Sequence, residues 1–221
     1  MTSPRLNREV IAMRVARELS DGKYVNLGTG IPTLVSQFTP EGYNIVYHSE
    51  SGVLNYGPLA KEGEEDIDLI NAGGQFLAPV PGMAFFTSAD AFAMVRGGHI
   101  DITVLGAFQV SEHGDLANWI LPTRGIGNIG GAMDLVAGAR RIIIAMEHTD
   151  SRNQPKVVLE CTLPLTGSRC VSLIVTDVAV IEVTPSGLVL KEVAPAWTPE
   201  EVQSITEPRL IISRDLKEME I

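Results

Sequence analysis

A single carboxylate, Glu50, stands where a short apolar segment of the sequence ends. Residues 43–47 predict a buried strand, and the sequence HSESG follows at 48–52. Ligands and catalytic groups of α/β proteins lie at the ends of strands. No Lys or Arg lies between Lys23 and Lys61, so no basic residue close in sequence can pair with Glu50. This arrangement allows a carboxylate nucleophile, and it equally allows a solvated glutamate in a turn.

Two glycine-rich turns could bring backbone N–H groups close to a ligand, because glycine has no Cβ to obstruct the approach. The first holds Gly28 and Gly30 between a predicted strand and a predicted helix, a layout typical of anion-binding loops. It lacks the third glycine of a dinucleotide fingerprint, so we interpret it as a backbone turn close to an active site. The second holds Gly130 and Gly131 and continues into Ala132, where a helix is predicted to begin. Its N–H groups could stabilise a developing oxyanion or a thioester carbonyl, and a flexible loop is the alternative.

Other site chemistries find little support in the residues. The four histidines are scattered, with no pair at metal-ligand spacing, so no metal site is predicted. Ser49 and Ser51 lie near the strand end, but the Gly-x-Ser-x-Gly pattern of a nucleophile elbow is missing. No glycine-rich segment ends in Lys-Ser or Lys-Thr, which argues against a P-loop. The two cysteines, Cys161 and Cys170, lack metal-ligand spacing and are expected to be reduced thiols.

The composition of the 221 residues limits the class of protein. With 45% hydrophobic residues the chain can bury one sizeable core, and we expect a single domain over residues 1–221. The formal net charge of −10 argues against nucleic acid or an anionic membrane surface as a partner, since both need a basic face. The sequence shows neither an apolar leader nor a stretch of about 20 apolar residues, so we expect a cytoplasmic protein.

Alternating helix and strand signals predict the elements that position these residues. A helix is expected to start at Ser3-Pro4 and to stop at Asp21-Gly22, before a strand over 23–27. Further strands are predicted in apolar segments, over residues 67–71, 99–106, 141–146, 157–159, 178–183, 188–193 and 210–213. Further helices are predicted after Ser88, Gly131 and Thr198. The alternation predicts one α/β domain with a largely parallel open sheet flanked by helices.

Six segments occur along the chain in a characteristic order. They are VNLGTGIPTLV (25–35), HSESG (48–52), TSADAFAMVRGGHID (87–101), GDLANW (114–119), GGAMDLVAGA (130–139) and MEHT (146–149). Together they resemble the B (beta) subunit of the family I, 3-oxoacid type, CoA-transferases. Any one segment is unspecific, but six in this order, spread over nearly the whole chain, are specific. The resemblance implies a CoA-transferase-like sheet, a fold class shared with sugar-phosphate isomerases.

The resemblance also implies a covalent reaction through Glu50. In that family a glutamate of a Ser-Glu-Asn-Gly motif attacks an acyl-CoA of the succinyl or acetyl type and forms an acyl-glutamyl anhydride. The released CoA thiolate attacks the glutamyl carbonyl to give a glutamyl-CoA thioester, and an acid such as a 3-oxoacid reverses these steps with ping-pong kinetics. Coenzyme A is then part of a substrate, and no other cofactor is expected. The matching substrate-site positions are Gly28, Gly30, Ser51, Gly52, Gly130, Gly131 and Ala132.

Two positions depart from the family motif. Ser51 stands where the family has an asparagine, and Asn55 stands where it has a glycine. Asparagine tolerates the positive φ that such a glycine would adopt, so we expect the loop to keep its shape. A Glu-Ser-Gly sequence also resembles the glutaconate-type transferases. The identity of the carboxylic acid substrate is therefore left open, with acetoacetate, 3-oxoadipate, short fatty acids and glutaconate-like diacids as the alternatives.

The six segments match only the B half of an active site that such transferases divide between an A and a B chain. The resemblance therefore implies a heterodimer or heterotetramer, with an A subunit that supplies most contacts to CoA. An acyl-CoA hydrolase and a non-catalytic partner subunit remain as alternatives on the same scaffold. An isomerase would need a phosphate clamp of Lys or Arg, and the sequence gives no basic cluster near Glu50.

Overall fold

The computed structural model describes residues 3–122, 125, 127, 128 and 130–220. Within these residues the helices are α1 (Arg8–Ala16), α2 (Ile31–Leu34), α3 (Ser88–Arg96), α4 (Ala132–Gly138) and α5 (Pro199–Ser204), and a 3-10 helix over Val35–Phe38 continues α2. The strands are β1 (Tyr24–Leu27), β2 (Val46–Ser49), β3 (Val53–Leu54), β4 (Ala84–Phe85), β5 (Ile102–Leu105), β6 (Gln109–Ser111), β7 (Leu116–Ala117), β8 (Arg141–Met146), β9 (Val157–Val158), β10 (Val171–Thr176), β11 (Ala179–Thr184), β12 (Gly187–Val193) and β13 (Ile211–Glu218).

A ten-stranded sheet forms the centre of the described structure, in the order β13-β12-β11-β10-β8-β5-β1-β2-β3-β4. The strands from β10 to β2 run parallel to one another. Antiparallel pairs extend this parallel part on both sides, through β11 and β3. Strands β7, β6 and β9 form a separate three-stranded sheet. The predicted largely parallel α/β sheet with flanking helices is confirmed.

Apolar side chains cover both faces of the parallel strands. On one face Ile11 and Val15 of α1 belong to the same buried cluster as Val25 and Leu27 of β1. On the other face the cluster includes residues of α3 and α4. Strands β5 and β8 are buried almost throughout. Parallel strands covered on both faces read as continuous apolar segments, which is why these two strands were predictable from sequence.

The predicted start of the first helix is wrong. The helix α1 begins at Arg8, and the side chain of Asn7 caps it by accepting from the Val10 N–H at 2.9 Å. The residues before it stay outside the helix, and two of them are held by Asp177. The Leu6 N–H donates to the Asp177 carbonyl at 3.0 Å, and the Arg5 guanidinium pairs with its carboxylate at 2.8 Å.

Two further expectations on strands need correction. Residues 67–71 form a turn with an isolated bridge from Ile70 to Phe76, because the Asn71 side chain accepts from two backbone N–H groups and closes the chain on itself. Strand β10 has no counterpart among the predicted strands. By contrast, β8, the hairpin of β11 and β12, and the capping box of α5 are confirmed.

Cys161 and Cys170 are both free and half-buried, and burial raises the pKa of each thiol to about 11. They therefore stay protonated at neutral pH, as expected of reduced thiols without a reactive role. Among the helices of the described residues, each is too short or too polar to cross a bilayer.

Candidate active site

Glu50 follows the last residue of β2 directly and lies at the carboxyl end of the parallel strands. The strand is shifted from its predicted position, since residues 41–44 are exposed and β2 starts only at Val46. Strand β1 runs parallel to β2 and is followed directly by Gly28. Glu50 and Gly28 therefore stand at the ends of neighbouring strands, where ligands bind in open α/β sheets.

The Glu50 side chain is half-buried and pairs with no cation among the described residues. Its side-chain hydrogen bond comes from a neutral amide, with Asn26 Nδ2 donating to Glu50 Oε2 at 3.1 Å. The same nitrogen lies 3.1 Å from His48 Nδ1 and 3.3 Å from the His48 carbonyl oxygen. The carboxylate is thus partly accessible and held from one side only.

Asn26 belongs to a row of fully buried polar side chains on three neighbouring strands. His48 on β2 is opposite Asn26 on β1, which is opposite Thr103 on β5. Asn26 Oδ1, His48 Nε2 and Thr103 Oγ1 form no hydrogen bond of good geometry within the described part of the chain. Buried polar atoms are usually satisfied, so this row is an exception inside an otherwise apolar sheet.

The imidazole of His48 is neutral at physiological pH. Burial lowers its pKa, and the backbone of Ala91 only partly offsets the effect. The ring also stacks on Phe86 at a centroid distance of 6.1 Å. A neutral ring carries one hydrogen. Since Nδ1 faces the Asn26 amide nitrogen, Nδ1 is the acceptor and the hydrogen is on Nε2.

The loop after Glu50 requires glycine at position 52. Gly52 has a φ of 106°, and a Cβ there would overlap the carbonyl oxygen of Phe86. The backbones of Gly52 and Phe86 are also joined by a hydrogen bond of 3.0 Å. The Ser51 hydroxyl donates to the Ile70 carbonyl at 3.4 Å and accepts from Ser49 at 2.7 Å. Ser51 is thus occupied in fixing the loop.

Asn55 adopts a φ of 57°, the positive value expected where the family has glycine. Its N–H donates to the Tyr47 carbonyl at 2.7 Å and its side-chain amide donates to the Pro81 carbonyl at 3.4 Å. Asparagine is enriched among residues with positive φ. Asn55 therefore allows the same backbone conformation as the glycine of the family motif.

The first glycine turn serves close packing between strands. The Gly28 N–H donates to the Val104 carbonyl at 2.9 Å, and a Cβ on Gly28 would lie 2.9 Å from Leu105 Cδ2. Gly30 has a φ of 86°, and its carbonyl accepts from the Thr33 hydroxyl at 2.7 Å. Glycine is therefore favoured at position 28 by the close approach of β5 and at position 30 by the positive φ, both of which are features of the fold itself.

Helix α3 connects the two predicted parts of the site. At its first turn the Ser88 hydroxyl donates to the Glu50 carbonyl at 3.3 Å. One turn later the Phe92 ring packs so closely on Gly131 that a Cβ there would collide with it. The Arg96–Asp134 ion pair of 2.7 Å then joins α3 to α4.

Within the described residues no hydrogen bond links Glu50 to Gly130, Gly131 or Ala132. Gly130 has a φ of 50°, Gly131 precedes α4, and Ala132 is the first residue of α4. Residues 123, 124, 126 and 129 of the same loop lie outside the described residues.

Asn26 and His48 were missed as site residues when only the sequence was considered. The available signal was a polar residue in the middle of each apolar strand, at 26 in YVNL and at 48 in VYHS. That signal does not say what the side chain contacts. Only the parallel pairing of β1 with β2 brings the two together.

These observations define an α/β chain with an accessible carboxylate at the carboxyl end of a parallel sheet. Residues 8–204 match the family model described as Coenzyme A transferase, and the chain belongs to that family. It is 50% identical over 208 residues to the B subunit of the 3-oxoadipate CoA-transferase of Pseudomonas putida, covering 94% of this chain and 97% of that protein. It is 49% identical over 200 residues to the B subunit of the succinyl-CoA:3-ketoacid coenzyme A transferase of Helicobacter pylori, covering 90% and 96%. The predicted resemblance to the B (beta) subunit of such transferases is confirmed.

Two longer relatives show that the matched region can be part of a larger protein. The chain is 46% identical over 216 residues to the mitochondrial succinyl-CoA:3-ketoacid coenzyme A transferases 2A and 2B of Mus musculus. The match covers 97% of this chain but only 42% of each mouse protein.

Solved structures support the fold at low sequence identity. The apoenzyme of the acyl-CoA transferase YdiF from Escherichia coli O157:H7 superposes with a TM-score of 0.77 at 19% identity, over 100% of this chain and 44% of that one. The glutaconate coenzyme A-transferase from Acidaminococcus fermentans superposes with a TM-score of 0.68 at 18% identity, over 98% and 91%.

Proposed function

We propose that this chain is the B half of a 3-oxoacid type CoA-transferase and that Glu50 carries CoA between two acids as a glutamyl thioester. The observation that carries the proposal is the state of the Glu50 side chain. It is half-buried at the end of a parallel strand, and its contact is an amide hydrogen bond to one oxygen. A carboxylate paired with a cation would be a weaker nucleophile, whereas this one keeps Oε1 for attack.

The two carboxylate oxygens of Glu50 have different roles in the proposed reaction. Glu50 Oε1 attacks the acyl-CoA carbonyl carbon, the C–S bond breaks, and CoA leaves as a thiolate. The thiolate then attacks Glu50 Cδ, and the bond between Cδ and Oε1 breaks, so that the first acid leaves with Oε1. The product is a glutamyl-CoA thioester that retains Oε2. The anhydride keeps the acyl group activated, so no nucleotide triphosphate is needed.

Both intermediates hydrolyse in water, and the isolated chain leaves Glu50 partly open. Two hollows on the described surface, one lined around Arg14 and Glu192 and one around Tyr43 and Tyr56, do not include Glu50. A closed site that excludes water therefore requires a second chain over the carboxylate. Relatives named as B subunits support such a partner.

The surface beside the site has the character of an interface. Exposed apolar side chains lie on the segment that packs against the Glu50 loop, at Ile67, Ile70, Phe76 and Phe85. Phe85 pairs with Val53 of β3, and the Ile70 carbonyl accepts from Ser51. Clustered exposed apolar residues mark interaction surfaces. We assign this face to the A subunit, which would also bring the basic groups that bind the CoA phosphates.

A 3-oxoacid is the acid that the relatives favour. Proteins at 45–50% identity are named for succinyl-CoA:3-ketoacid or 3-oxoadipate transfer. The glutaconate enzyme is a neighbour in fold at 18% identity. We therefore propose a 3-oxoacid and a succinyl-CoA or acetyl-CoA type donor, with the glutaconate-type reaction as the alternative.

Trapping the thioester tests the proposal. The complex reconstituted with an A subunit is incubated with acyl-CoA, quenched with hydroxylamine or borohydride, and digested for mass spectrometry. We expect the modification on Glu50 and none on Glu147, a glutamate that also follows a parallel strand but pairs with Arg8 at 2.8 Å. Turnover with an unmodified Glu50 would contradict the proposal.

Dependence on the acceptor acid separates a transferase from a hydrolase. We expect the acyl-CoA to be consumed in stoichiometric amount with the enzyme until a 3-oxoacid is added, and to turn over afterwards. Steady consumption at the same rate without any acceptor acid would instead identify an acyl-CoA hydrolase.

A further inference from the structure

We propose that the hollow beside β2 binds an uncharged, single-ring small molecule that accepts a hydrogen bond from Tyr56 and donates one to Tyr47. The hollow has a volume of about 340 Å³. It lies between the 3-10 helix, the residues just before β2 and residues 56–58. Glu50 is not part of its lining, so the proposal is independent of the chemistry proposed for that carboxylate.

Tyr56 supplies a hydrogen-bond donor that the chain itself does not use. The residue is only 5% exposed, and its hydroxyl has no hydrogen-bond partner within the described residues. Burial, with the negative charges of Tyr47 and Glu50, raises its pKa, so the hydroxyl stays protonated. Unlike the unpaired atoms of the buried row on β1, β2 and β5, this oxygen is not sealed off from the surface. Buried polar groups are usually paired, and an acceptor in the hollow would provide the missing partner.

Tyr47 supplies the complementary acceptor. Its hydroxyl oxygen lies 2.6 Å from Thr39 Oγ1. The Thr39 hydroxyl has a single hydrogen and donates it to the Ser36 carbonyl at 3.1 Å. The short contact therefore uses the hydrogen of Tyr47, which burial keeps in place by raising the pKa of Tyr47 to about 12. The Tyr47 oxygen can then only accept a hydrogen bond from a bound molecule.

The two tyrosines stand side by side in the hollow. Their ring centroids are 5.5 Å apart, with an angle of 32° between the ring planes. An amide carries a carbonyl acceptor next to an N–H donor, so it matches one free donor beside one free acceptor. Tyr43, which is 45% exposed, adds an aromatic surface against which a ring can pack.

The lining of the hollow favours an uncharged molecule. Its described side chains include hydroxyl and amide groups but no Lys, Arg, His, Asp or Glu. A charged group would lose hydration there without gaining a counterion. The volume is at the lower end of the range of ligand pockets, roughly 300–1,000 Å³, which suits a single ring with one polar substituent. These properties differ from those of the acids and the CoA thioester proposed to react at Glu50.

Benzamide is the probe that tests the site, since it joins one ring to one primary amide. Its dissociation constant is measured by saturation-transfer NMR titration of the full chain and of the complex reconstituted with an A subunit. Benzoate is the matched probe, with the same ring but a negative charge. Tyr56→Phe removes the donor and keeps the ring. Tyr24→Phe is the control variant, because Tyr24 is an exposed tyrosine of β1 outside the hollow.

We expect benzamide to bind saturably to the chain and to the complex, and benzoate to bind at least about tenfold more weakly. Tyr56→Phe should raise the dissociation constant of benzamide about 3- to 10-fold, as loss of one neutral hydrogen bond does. Tyr24→Phe should leave it unchanged. Should Tyr56→Phe fail to fold, the comparison of benzamide with benzoate on the parent chain decides.

Four outcomes would overturn the proposal. They are benzamide binding that does not saturate, benzoate binding as tightly as benzamide, equal dissociation constants for Tyr56→Phe and Tyr24→Phe, and loss of benzamide binding when the A subunit is added. The last outcome would assign the hollow to the partner chain. A Glu50→Gln complex should bind benzamide as the parent complex does, because Glu50 does not line the hollow.

Discussion

The carboxylates of two regions are held in opposite ways. Near α1, Arg14 donates to both oxygens of Glu192 at 2.7 and 2.9 Å and to Glu18 at 2.9 Å. Arg141 donates to the other oxygen of Glu18 at 2.7 Å. We call these four residues the Arg14 cluster. Glu50, at the carboxyl end of β2, has one amide hydrogen bond and no cation among the described residues.

The difference separates carboxylates that hold the fold from one that can react. Burial would raise the pKa of Glu18, but Arg141 and Arg14 lower it overall. Both oxygens of Glu18 and both oxygens of Glu192 accept from a guanidinium, which stabilises the carboxylate and makes it a weaker nucleophile. Glu50 lies next to a neutral donor and has one oxygen without a partner in the described part of the chain, which is what covalent catalysis requires. Exchanging the two kinds of carboxylate for amides should therefore affect different properties.

Glu50→Gln should abolish turnover and leave the fold intact. We expect kcat/KM of the reconstituted complex to fall by a factor of about 10³ or more, as when a covalent nucleophile is removed. The free energy of unfolding of the chain should change by less than about 0.5 kcal/mol, because the isosteric amide can still accept from Asn26. Steady-state kinetics and urea unfolding measure the two effects.

The control for Glu50→Gln is Glu147→Gln. Glu147 also follows a parallel strand directly, but its carboxylate pairs with Arg8 at the surface. Normal activity is expected, since exposed ion pairs contribute little. Activity retained by Glu50→Gln, or lost equally in both variants, would remove the distinction between the reactive and the structural carboxylates.

Glu192→Gln should have the opposite effect. Glu192 and Arg14 are both buried, so removing the negative charge leaves the guanidinium without its main partner. Breaking a buried pair from one side costs about 3–5 kcal/mol of unfolding free energy when the remaining charge has no other partner. Arg14 still pairs with Glu18, so we expect a loss at or below the lower end of this range. Urea unfolding should show this loss, while the rate per thioester trapped on Glu50 stays unchanged in the folded fraction.

A double variant, Arg14→Met with Glu192→Leu, is the control for Glu192→Gln. Replacing both partners leaves no unpaired charge at this position, and a buried pair replaced by apolar residues is often neutral in stability. Glu18 retains Arg141 as its partner. The double variant should therefore be more stable than Glu192→Gln. If the double variant is less stable, the Arg14 cluster contributes more to the unfolding free energy than the pairing of its charges explains.

Sequence reasoning reached Glu50 but not the residues around it. Glu50 was predicted as the candidate nucleophile from the abrupt change from apolar to polar residues together with the resemblance to the family motif. The resemblance also predicted the positive φ of Asn55, since the family has a glycine there. Asn26 and His48 were not predicted as site residues, because the contacts of their side chains depend on which strands pair and in what register. The Arg14–Glu18 contact has helical spacing and could have been inferred. Glu192 is 178 positions away from Arg14.

The wrong sequence-based predictions about the fold have the same origin. The signals of Ser3-Pro4 for a helix start were outweighed by contacts to Asp177, far along the chain. Residues 67–71 have apolar members but join neither sheet of the described structure, and the Asn71 side chain closes a turn there. Strong local patterns, such as the apolar β8 and the capping box before α5, were confirmed because no distant contact opposes them.

Acid should weaken the contributions of the buried histidines and of the Arg14 cluster in separate pH ranges. His148 is fully buried between Thr176 and Thr206, and burial, with Arg5 and Lys156, lowers its pKa from 6.5 to about 3. His48 of the site is shifted in the same direction. Both histidines bind protons more readily in the unfolded chain, so their contribution to stability is complete above pH 6.5 and declines as the pH falls. Glu18, with its pKa lowered from 4.5, keeps its contribution down to about that pH and loses it below.

The unfolding free energy should therefore fall already between pH 6 and pH 5, where the Arg14 cluster is still ionised. His148 contributes a slope approaching about 1.4 kcal/mol per pH unit in this range, and His48 adds to it in the same direction. His148→Gln removes one titrating group, so urea unfolding at pH 7, 6 and 5 should show a shallower slope in the variant than in the parent chain. Equal slopes would mean that His148 is accessible to protons in the folded chain. A slope that appears only below pH 4.5 would assign the acid sensitivity to the paired carboxylates, and the histidines would then play no part in it.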